Sequence, residues 1–206
     1  MDPTLLSPAH ERPLAPLTDR RLVVISGPSG VGKGTLAQKL FDTHPQTFSW
    51  TVSHTTRKPR PGEIEGETYF YVSFPEFSAL VDQNAFVEHA FFCGNYYGTS
   101  KRTVTEQEAK GLVVVLDIDM QGVKQIKADP NIDARYVFIS PPSLEVLEMR
   151  LRDRSTETEE EIQKRLAQAK TELDYAGNHG VYDKVIINDD LESAYKELEK
   201  FIFSMG

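Results

Sequence analysis

Residues 27–35 combine the features of a phosphate-binding loop. They read Gly-Pro-Ser-Gly-Val-Gly-Lys-Gly-Thr and directly follow the apolar run Leu22–Ile25 and Ser26. Glycines allow successive backbone N–H groups to curl around phosphate oxygens, Lys33 adds a point charge, and the helix expected next adds its positive N-terminus. Strand, spacing and lysine together predict a nucleoside phosphate site, which we call the phosphate loop. A flexible glycine-rich turn is the alternative.

One position in the phosphate loop departs from the usual pattern. A Ser or Thr hydroxyl directly after the lysine normally binds Mg²⁺, but Gly34 stands there and Thr35 follows one residue later. The phosphate cradle does not depend on that hydroxyl, because backbone N–H groups and Lys33 form it. We therefore expect Mg²⁺ to be held mainly by nucleotide phosphates and water, with one or two carboxylates nearby.

Asp117 and Asp119 are the carboxylates best placed for such a role. The apolar run Leu112–Leu116 ends in Asp117, and an apolar strand that ends in a carboxylate commonly orients Mg²⁺ and its waters in phosphate-transfer sites. We expect Asp117 to act on the metal through water. If the strand continues to Asp119, both carboxylates lie on the same side of it. An aspartate in a simple strand-end turn is the alternative.

Two segments between residues 53 and 99 carry cations and hydroxyl groups. Residues 53–60 read Ser-His-Thr-Thr-Arg-Lys-Pro-Arg, with three cations in four residues. Guanidinium groups make forked contacts with phosphate, so we expect a second phosphate pocket here, although a solvated basic loop has a similar composition. Residues 94–99 read Gly-Asn-Tyr-Tyr-Gly-Thr and follow Glu88. Their hydroxyl groups can donate to phosphate while the rings support a base; a buried aromatic hairpin would look similar.

A third group of cations contains Arg150, Arg152, Arg154 and, further on, Arg165. Arg150 and Arg154 are four residues apart and could share a helix face. Arginines that reach a phosphoryl group during its transfer neutralise charge in the transition state. The glutamate-rich stretch 157–161 allows a second interpretation, a salt-bridged surface.

Alternating strands and helices must position these groups. Short apolar runs typical of strands buried on both faces of a parallel sheet occur at Leu22–Ser26, Leu112–Ile118, Tyr136–Ile139 and Val185–Ile187. Helices are predicted at Thr35–Phe41, at Leu144–Leu151 after the cap Ser143, and from two stripes: Ile162, Leu166, Ala169, Leu173 and Leu191, Ala194, Tyr195, Leu198, Phe201, Ile202. We expect both stripes to face the core. The alternation predicts an α/β fold with a doubly wound parallel sheet and right-handed crossovers.

One interval breaks this alternation. Residues 53–100 hold short aromatic strand signals at Tyr69–Tyr71 and Phe86–Phe92. Between them, Ser73 and Glu76 have the spacing of a capping box at the start of a helix. We predict that residues 53–100 form a small lobe inserted into the core, which we call the inserted lobe.

A lid and an N-terminal arm are also predicted. The interval 150–161 is dense in charge and poor in large apolar residues, which is typical of a mobile lid, and we place the lid at residues 150–165. The first 19 residues contain four prolines among polar residues and are predicted to form a mostly disordered arm. The core would then comprise residues 20–52, 101–149 and 166–206.

Composition excludes several classes of protein. The 206 residues are 39% hydrophobic and 26% charged, as in ordinary soluble proteins with a sizeable core. The net charge of −8 argues against nucleic-acid binding as the main role. No stretch approaches the roughly 18 apolar residues of a membrane span, and the arm lacks the features of a targeting signal. The lone Cys93 excludes an internal disulfide and suits a reducing compartment, so we expect a cytoplasmic protein without a membrane partner.

The motifs taken together resemble those of guanylate kinases, which phosphorylate GMP with ATP. They read Gly-Pro-Ser-Gly-Val-Gly-Lys at 27–33, Val-Ser-His-Thr-Thr-Arg-Lys-Pro-Arg at 52–60, Gly-Asn-Tyr-Tyr-Gly at 94–98, Asp-Ile-Asp-Met-Gln-Gly at 117–122 and Asn-Asp-Asp at 188–190. The resemblance runs from about Leu22 to Phe203, and the chain looks most like the eukaryotic monomeric form. It implies the fold of P-loop NTPases and nucleoside monophosphate kinases, with the inserted lobe binding GMP and the chain acting as a monomer.

The resemblance also implies a role for each matching position. The GMP phosphate would be held by Arg57, Arg60, Tyr69 and Tyr97, and guanine by Ser53, Glu88, Thr99 and Asp119. ATP would lie on Gly27, Pro28, Ser29, Gly30, Val31, Gly32, Lys33, Gly34 and Thr35, with Asn188 near the adenine. The catalytic cations would be Lys33, Arg57, Arg150, Arg154 and Arg165. ATP and Mg²⁺ are the implied cofactors.

On this interpretation the γ-phosphoryl of ATP passes in line to GMP in a closed site, without a covalent intermediate. Guanine presents N1–H and N2–H as adjacent donors, which an ionised Glu88 accepts, whereas adenine would leave that carboxylate unpaired. Two rivals are an inactive guanylate-kinase-like scaffold that binds phosphorylated partners and a kinase for another nucleotide. The intact phosphate loop with Lys33 argues against the first, and Glu88 with Asp119 against the second.

Overall fold

The structure is a computed structural model that describes residues 17–92, 94–153 and 158–204. Each predicted strand and helix has a counterpart among its elements, and shorter elements lie between them. In chain order the elements are β1 (Leu22–Ser26), α1 (Lys33–Thr43), β2 (Phe48–Trp50), β3 (Ser53–Thr55), β4 (Tyr69–Tyr71), α2 (Phe74–Asp82), β5 (Phe86–Phe92), β6 (Asn95–Ser100), α3 (Lys101–Glu108), β7 (Val113–Asp117), α4 (Met120–Ala128), β8 (Ala134–Ser140), α5 (Leu144–Asp153), α6 (Glu159–Ala176), β9 (Lys184–Ile187) and α7 (Leu191–Phe203).

Within the described residues, five parallel strands form the core sheet in the order β2-β7-β1-β8-β9. The central strand β1 is buried along its whole length. Val23 and Ile25 join an apolar cluster with α1, α5, α6 and α7, while Leu22 and Val24 join a second cluster with α3 and α4. Burial on both faces explains why the strands are continuous apolar runs. The predicted doubly wound α/β fold is confirmed.

The inserted lobe contains a second sheet, in the order β4-β3-β6-β5. β3 pairs in parallel with β4 and antiparallel with β6, which pairs antiparallel with β5. α2 packs on this sheet through Phe77, which is buried and stacks on Phe86 and Tyr96. The predicted capping box of Ser73 and Glu76 is confirmed at the start of α2.

β2, β3, β6, α3 and α4 are elements that the sequence pattern does not predict. β2 has three residues, and α3 is mostly polar and buries only Thr103 and Val104 among its residues, so neither gives a periodic signal. α4 begins after Asp119, whose carboxylate accepts hydrogen bonds from N–H groups of the first turn. β7 therefore ends at Asp117, and the two carboxylates do not share one strand.

The predicted core faces of the last two helices are largely confirmed. On α6, Ile162 and Ala169 are buried and Leu166 packs against the same cluster. On α7 the predicted residues pack into the core except Leu191, the first residue of the helix, which is 37% exposed.

The predicted arm and lid fall partly outside the described residues, as do Cys93 and Arg154. The end of the arm is attached: Leu17 packs against the core, and Asp19 forms ion pairs with Arg21 and Arg135. Of the predicted lid, residues 150–153 complete α5 and residues 159–165 begin α6. The division into arm, core, lobe and lid stays a prediction. None of the described helices has the length and apolar character of a membrane span.

Candidate active site

A cavity of about 240 Å³ lies where the carboxyl ends of the core strands meet the inserted lobe. In open parallel sheets, ligands bind at this end of the strands. Sequence-predicted residues from both sides line it: Gly27, Ser29, Lys33, Ser53, Tyr69, Glu88, Tyr97, Asp117 and Asp119. Groups bound by the phosphate loop and by the lobe would therefore be close neighbours.

The phosphate loop has the backbone conformation that an anion site requires. Gly27 has a φ of +144°, and a Cβ there would lie 2.2 Å from the carbonyl oxygen of Ile139, so only glycine fits. Gly32 precedes α1 in the left-handed conformation and offers no side-chain cap, so the helix begins with uncapped N–H groups. Lys33 Nζ donates to the carbonyl oxygens of Gly27 at 2.6 Å and Pro28 at 3.2 Å. The loop thus holds the ammonium group beside the anion cradle.

Three hydrogen bonds connect the phosphate loop with the region predicted as the lid, one directly and two in succession through Asn188. Asn188 is buried, and its Nδ2 donates to the carbonyl oxygen of Val31 at 2.7 Å. Arg150 donates from Nη2 to the Asn188 carbonyl oxygen at 2.9 Å. Arg165 donates from Nη1 to Ser29 Oγ at 2.7 Å. The side chain of Asn188, expected near adenine, supports the loop itself here.

The donor side of the cavity offers few ligands for a metal ion. Asp117 ends β7 with Oδ1 3.8 Å from Lys33 Nζ, and its side chain is 34% exposed. Gly34 bears no hydroxyl, and Thr35 is exposed. In the described part of the chain, no three His, Cys, Asp or Glu side chains form a group able to hold a metal. These residues fit Mg²⁺ held by nucleotide phosphates and water, with Asp117 reaching it through water.

On the lobe, Arg57 is paired with Glu63. Its Nη1 and Nη2 donate to the two carboxylate oxygens at 2.9 and 2.8 Å. The backbone N–H of Arg60 and the hydroxyl of Tyr71 also donate to Glu63, at 2.7 and 2.8 Å. The guanidinium lies over the ring of Tyr69, 5.4 Å from its centroid. The hydrogen bonds from Arg57 lower the pKa of Glu63 to about 2, so the pair is charged at neutral pH.

This ion pair leaves one edge of the Arg57 guanidinium for a ligand. Glu63 takes one N–H from each Nη, and the Lys58 carbonyl oxygen accepts from Nη1 at 2.9 Å. Among residues 17–92, 94–153 and 158–204, no hydrogen-bond acceptor meets Nε–H. Nε–H and the second Nη2–H are parallel donors, the geometry that phosphate oxygens take. The rings of Tyr69 and Tyr97 lie 6.1 Å apart beside them.

The predicted guanine-binding residues Ser53, Thr99 and Glu88 lie together across β3, β6 and β5, with Asp119 near enough for its charge to act on Glu88. Glu88 is 5% exposed, and its Oε1 accepts the Thr99 N–H at 2.9 Å. Ser53 Oγ and Thr99 Oγ1 are 3.1 Å apart. Burial raises the pKa of Glu88 to about 7, and the charge of Asp119 adds to this although Thr99 opposes it. A ligand with two N–H donors would favour the ionised carboxylate.

Two cavity-region residues were not found from the sequence, Glu63 and Glu172. Glu63 lies in an irregular segment between β3 and β4, where no spacing rule marks a partner for Arg57. Glu172 lines the cavity, is 5% exposed, and accepts a hydrogen bond from Gln168 at 3.1 Å. Burial raises its pKa. The sequence does mark Glu172. It lies three residues after Ala169 and so falls on the predicted core face of α6, where a charged side chain is unexpected.

Comparison with known proteins agrees with this site. The chain matches the guanylate kinase family model over residues 19–205. It is 51% identical over 182 residues to the guanylate kinase of Schizosaccharomyces pombe, covering 88% of this chain and 90% of that protein. It is 48% identical over 180 residues to the guanylate kinase of Sus scrofa, covering 87% and 90%. The crystal structure of guanylate kinase from Anaplasma phagocytophilum aligns with a TM-score of 0.67 at 31% identity, covering 88% of this chain and 84% of that one. By motifs, fold and similarity along most of its length, the chain belongs to the guanylate kinase family.

Proposed function

We propose that this protein transfers the γ-phosphoryl group of ATP to GMP, with ADP and GDP as products. One observation carries the proposal: a single cavity is lined by the phosphate loop on one side and by Glu88 and its lobe neighbours on the other. A triphosphate on the loop and a purine monophosphate on the lobe would meet there, as in-line transfer requires. The relatives named above are guanylate kinases.

The proposed catalysis is positioning and charge neutralisation. Lys33 and the N-terminus of α1 would hold the ATP phosphates, and the open edge of Arg57 would hold the GMP phosphate. Arg150 and Arg165 already contact the phosphate loop or the residue that supports it, so short movements would bring them to the transferring group. Removing one such preorganised donor typically slows a reaction by roughly a hundredfold to a thousandfold.

Mg²⁺ is proposed as the ion that accompanies ATP. When bound, it supplies positive charge that offsets the charge of the β- and γ-phosphates. Asp117 is the residue that would reach it, through water. Because Gly34 has no hydroxyl, the phosphate loop would bind the ATP phosphates through its backbone N–H groups and Lys33 and would give the metal ion no side-chain ligand.

Base selection is assigned to Glu88 and Asp119. Glu88 is buried and its Oε1 is already bonded to Thr99, so Oε2 is the oxygen that would accept from guanine. Adenine would bring no N1–H to that oxygen and would leave a buried carboxylate unpaired, a penalty that lets such sites discriminate strongly.

The scaffold alternative is not favoured, because the phosphate loop and Lys33 are intact and Arg165 contacts the loop. We also propose that the protein acts as a monomer in the cytoplasm. In support, donor and acceptor residues of the cavity come from one chain, and its lone cysteine suits a reducing compartment.

The test is a coupled assay of ADP formation with ATP and a panel of GMP, AMP, CMP and UMP. We expect kcat/KM for GMP to exceed that for each other acceptor by roughly a hundredfold or more, since the site rejects bases that leave Glu88 unpaired. ADP formation without an acceptor should be slow because water is excluded. Equal rates with and without GMP would contradict the proposal.

A further inference from the structure

The side chain of Gln125 on α4 is bonded twice to the backbone of His89 on β5. Its Nε2 donates to the His89 carbonyl oxygen at 2.6 Å, and its Oε1 accepts the His89 N–H at 3.0 Å. β5 is an edge strand of the lobe sheet. An amide side chain has the same donor and acceptor as a peptide group, so Gln125 completes the pairing that a further strand would provide. The contact fastens the inserted lobe to the core.

Both chain neighbours of Glu88 are anchored to the core. Val87 packs against the apolar cluster that includes residues of α3 and α4, and His89 is held by Gln125. The pairing of β5 with β6 shifts register between Phe86 and Glu88, and such a bulge re-aims the side chains beside it. Glu88 is part of the inserted lobe in the sequence, but the contacts of Val87 and His89 attach this part of β5 to the core.

Gly122 allows α4 to lie directly against the carboxylate of Glu88. A Cβ at this position would be 2.9 Å from Glu88 Oε2 and 3.0 Å from Ile118 Cδ1. The Gly122 N–H donates to Asp119 Oδ1 at 3.1 Å. Gly122 and Gln125 are three residues apart and so share one face of the helix. One helix turn therefore touches both predicted base-binding carboxylates.

We infer that Gln125 is a positioning residue for base recognition. By fastening β5 to α4, it holds Glu88 in place relative to Asp119, so that the two carboxylates form one preformed unit. This inference rests on the proposed role of Glu88 and Asp119 in binding guanine. The residues predicted to hold the phosphate lie away from this contact, since Arg57 follows the inner strand β3 and Tyr69 belongs to β4, the opposite edge strand of the lobe sheet.

The test is Gln125→Met, which keeps the side-chain length and removes both hydrogen bonds. We expect KM for GMP to rise about tenfold, because the variant loses the two hydrogen bonds to His89 that hold the neighbouring Glu88 in position. The preference for GMP over AMP should fall by a similar factor. KM for ATP and kcat at saturating GMP should stay within about twofold, because the donor side is untouched. A variant that is only less stable would lose active protein, which lowers kcat and leaves both KM values unchanged.

Lys124→Met is the matched control, since it places the same side chain on an exposed neighbouring position of α4, and it should keep the parent KM for GMP. Unchanged KM for GMP and unchanged base preference in folded Gln125→Met would overturn the inference. If Gln125→Met does not fold, as judged by thermal unfolding, Gln125→Glu takes its place. That variant keeps the acceptor for the His89 N–H but sets a carboxylate oxygen against the His89 carbonyl, and the same expectation applies.

Glu88→Gln separates this inference from the proposed function on which it rests. If Glu88→Gln leaves KM for GMP unchanged, the base-binding role fails and the inference fails with it. If Glu88→Gln raises that KM and Gln125→Met does not, the inference alone fails. A rise in both, with ATP binding retained, supports the two together.

Discussion

The donor and acceptor sides of the cavity are built in different ways. The donor side is one continuous segment, the phosphate loop, whose backbone forms the cradle and whose single lysine is held by carbonyl oxygens of that loop. The acceptor side is assembled from side chains on four strands and from Asp119, which caps α4, and its main cation, Arg57, is already paired with Glu63. Changes on the donor side should therefore alter the rate of transfer, and changes on the acceptor side should alter the binding of the acceptor nucleotide.

Lys33→Ala should have the largest effect. We expect kcat to fall roughly a thousandfold, because a preorganised charge on the transferring phosphates is lost, while the affinity for GMP stays within about twofold. Steady-state kinetics and calorimetric titration of GMP measure the two quantities. Lys39→Ala, on the same helix and paired with Glu192, is the control and should keep the parent rate. An equal loss of GMP affinity would mean that the loop serves the acceptor.

Glu88→Gln should change acceptor binding instead. The amide oxygen can still accept from Thr99, but the amide NH₂ would meet the guanine N–H donors, so kcat/KM for GMP should fall roughly a hundredfold. KM for ATP should not change. The melting temperature should not fall, because a neutral amide is easier to bury than a carboxylate. Glu106→Gln, on the exposed side of α3, is the control, and parent GMP kinetics in Glu88→Gln would remove the specificity argument.

The pH dependence sharpens the same comparison. Because burial raises the pKa of Glu88 to about 7 in the free protein, kcat/KM for GMP should fall about tenfold from pH 8 to pH 6 as the carboxylate is protonated. The free energy of unfolding should change with pH in the opposite direction. Because the folded protein binds the proton of Glu88 more tightly than the unfolded chain does, Glu88 stabilises the fold most below its unfolded pKa. This stabilisation is lost as pH rises towards 7.

The control for this prediction is the profile of Glu88→Gln. The phosphate of GMP also titrates near pH 6, and the variant should keep only that component. Its melting temperature should also change less than that of the parent between pH 5 and pH 8. A parent profile that is flat from pH 8 to pH 6 would contradict an ionised Glu88 as the base-binding group.

Glu63→Gln should weaken the acceptor side without altering base choice. Glu63 accepts from Arg57, from the Arg60 N–H and from Tyr71, and an amide cannot satisfy all of these donors. KM should rise about fivefold for GMP and in parallel for AMP, since only the phosphate contact is loosened. Glu67→Gln, at an exposed position of the same segment, is the control. A lower KM would show that the negative charge of Glu63 opposes phosphate more than its hydrogen bonds assist.

The same contrast explains what the sequence could predict. The donor side was predictable because its parts are consecutive: the buried strand, the glycines, Lys33 and the helix start. The core strands were predictable because burial on both faces leaves continuous apolar runs, as in β1. In the lobe, the cations of segment 53–60 and the rings of segment 94–99 marked a second binding region, whereas the roles of the individual residues came from the family resemblance and stay predictions until the variants are measured.

Glu63 and Gln125 could not be predicted from spacing. Glu63 lies in an irregular segment, so no helical or strand period relates it to Arg57. Gln125 meets His89 across 36 positions of sequence, and its pattern on α4 is that of any exposed polar residue. The role of Glu63 exists only once the lobe has folded, and that of Gln125 only once α4 packs against β5. Asp119 shows the same limit, because its capping of α4, rather than a continuing strand, sets its position.

The smallest effects should come from the start of the chain, whose described residues 17–19 do not line the cavity. Deleting residues 1–16 should leave kcat and melting temperature unchanged. Deleting residues 1–19 also removes Asp19, whose Oδ2 lies 3.3 Å from Nε of Arg135, a side chain only 5% exposed. A buried guanidinium without its carboxylate should lower the free energy of unfolding by about 1–3 kcal/mol, measured by urea denaturation, with kcat unchanged at a temperature where the protein is folded. Asp19→Asn in the full chain should give most of the same loss, and equal stability of the two truncated proteins would show that the pair contributes nothing.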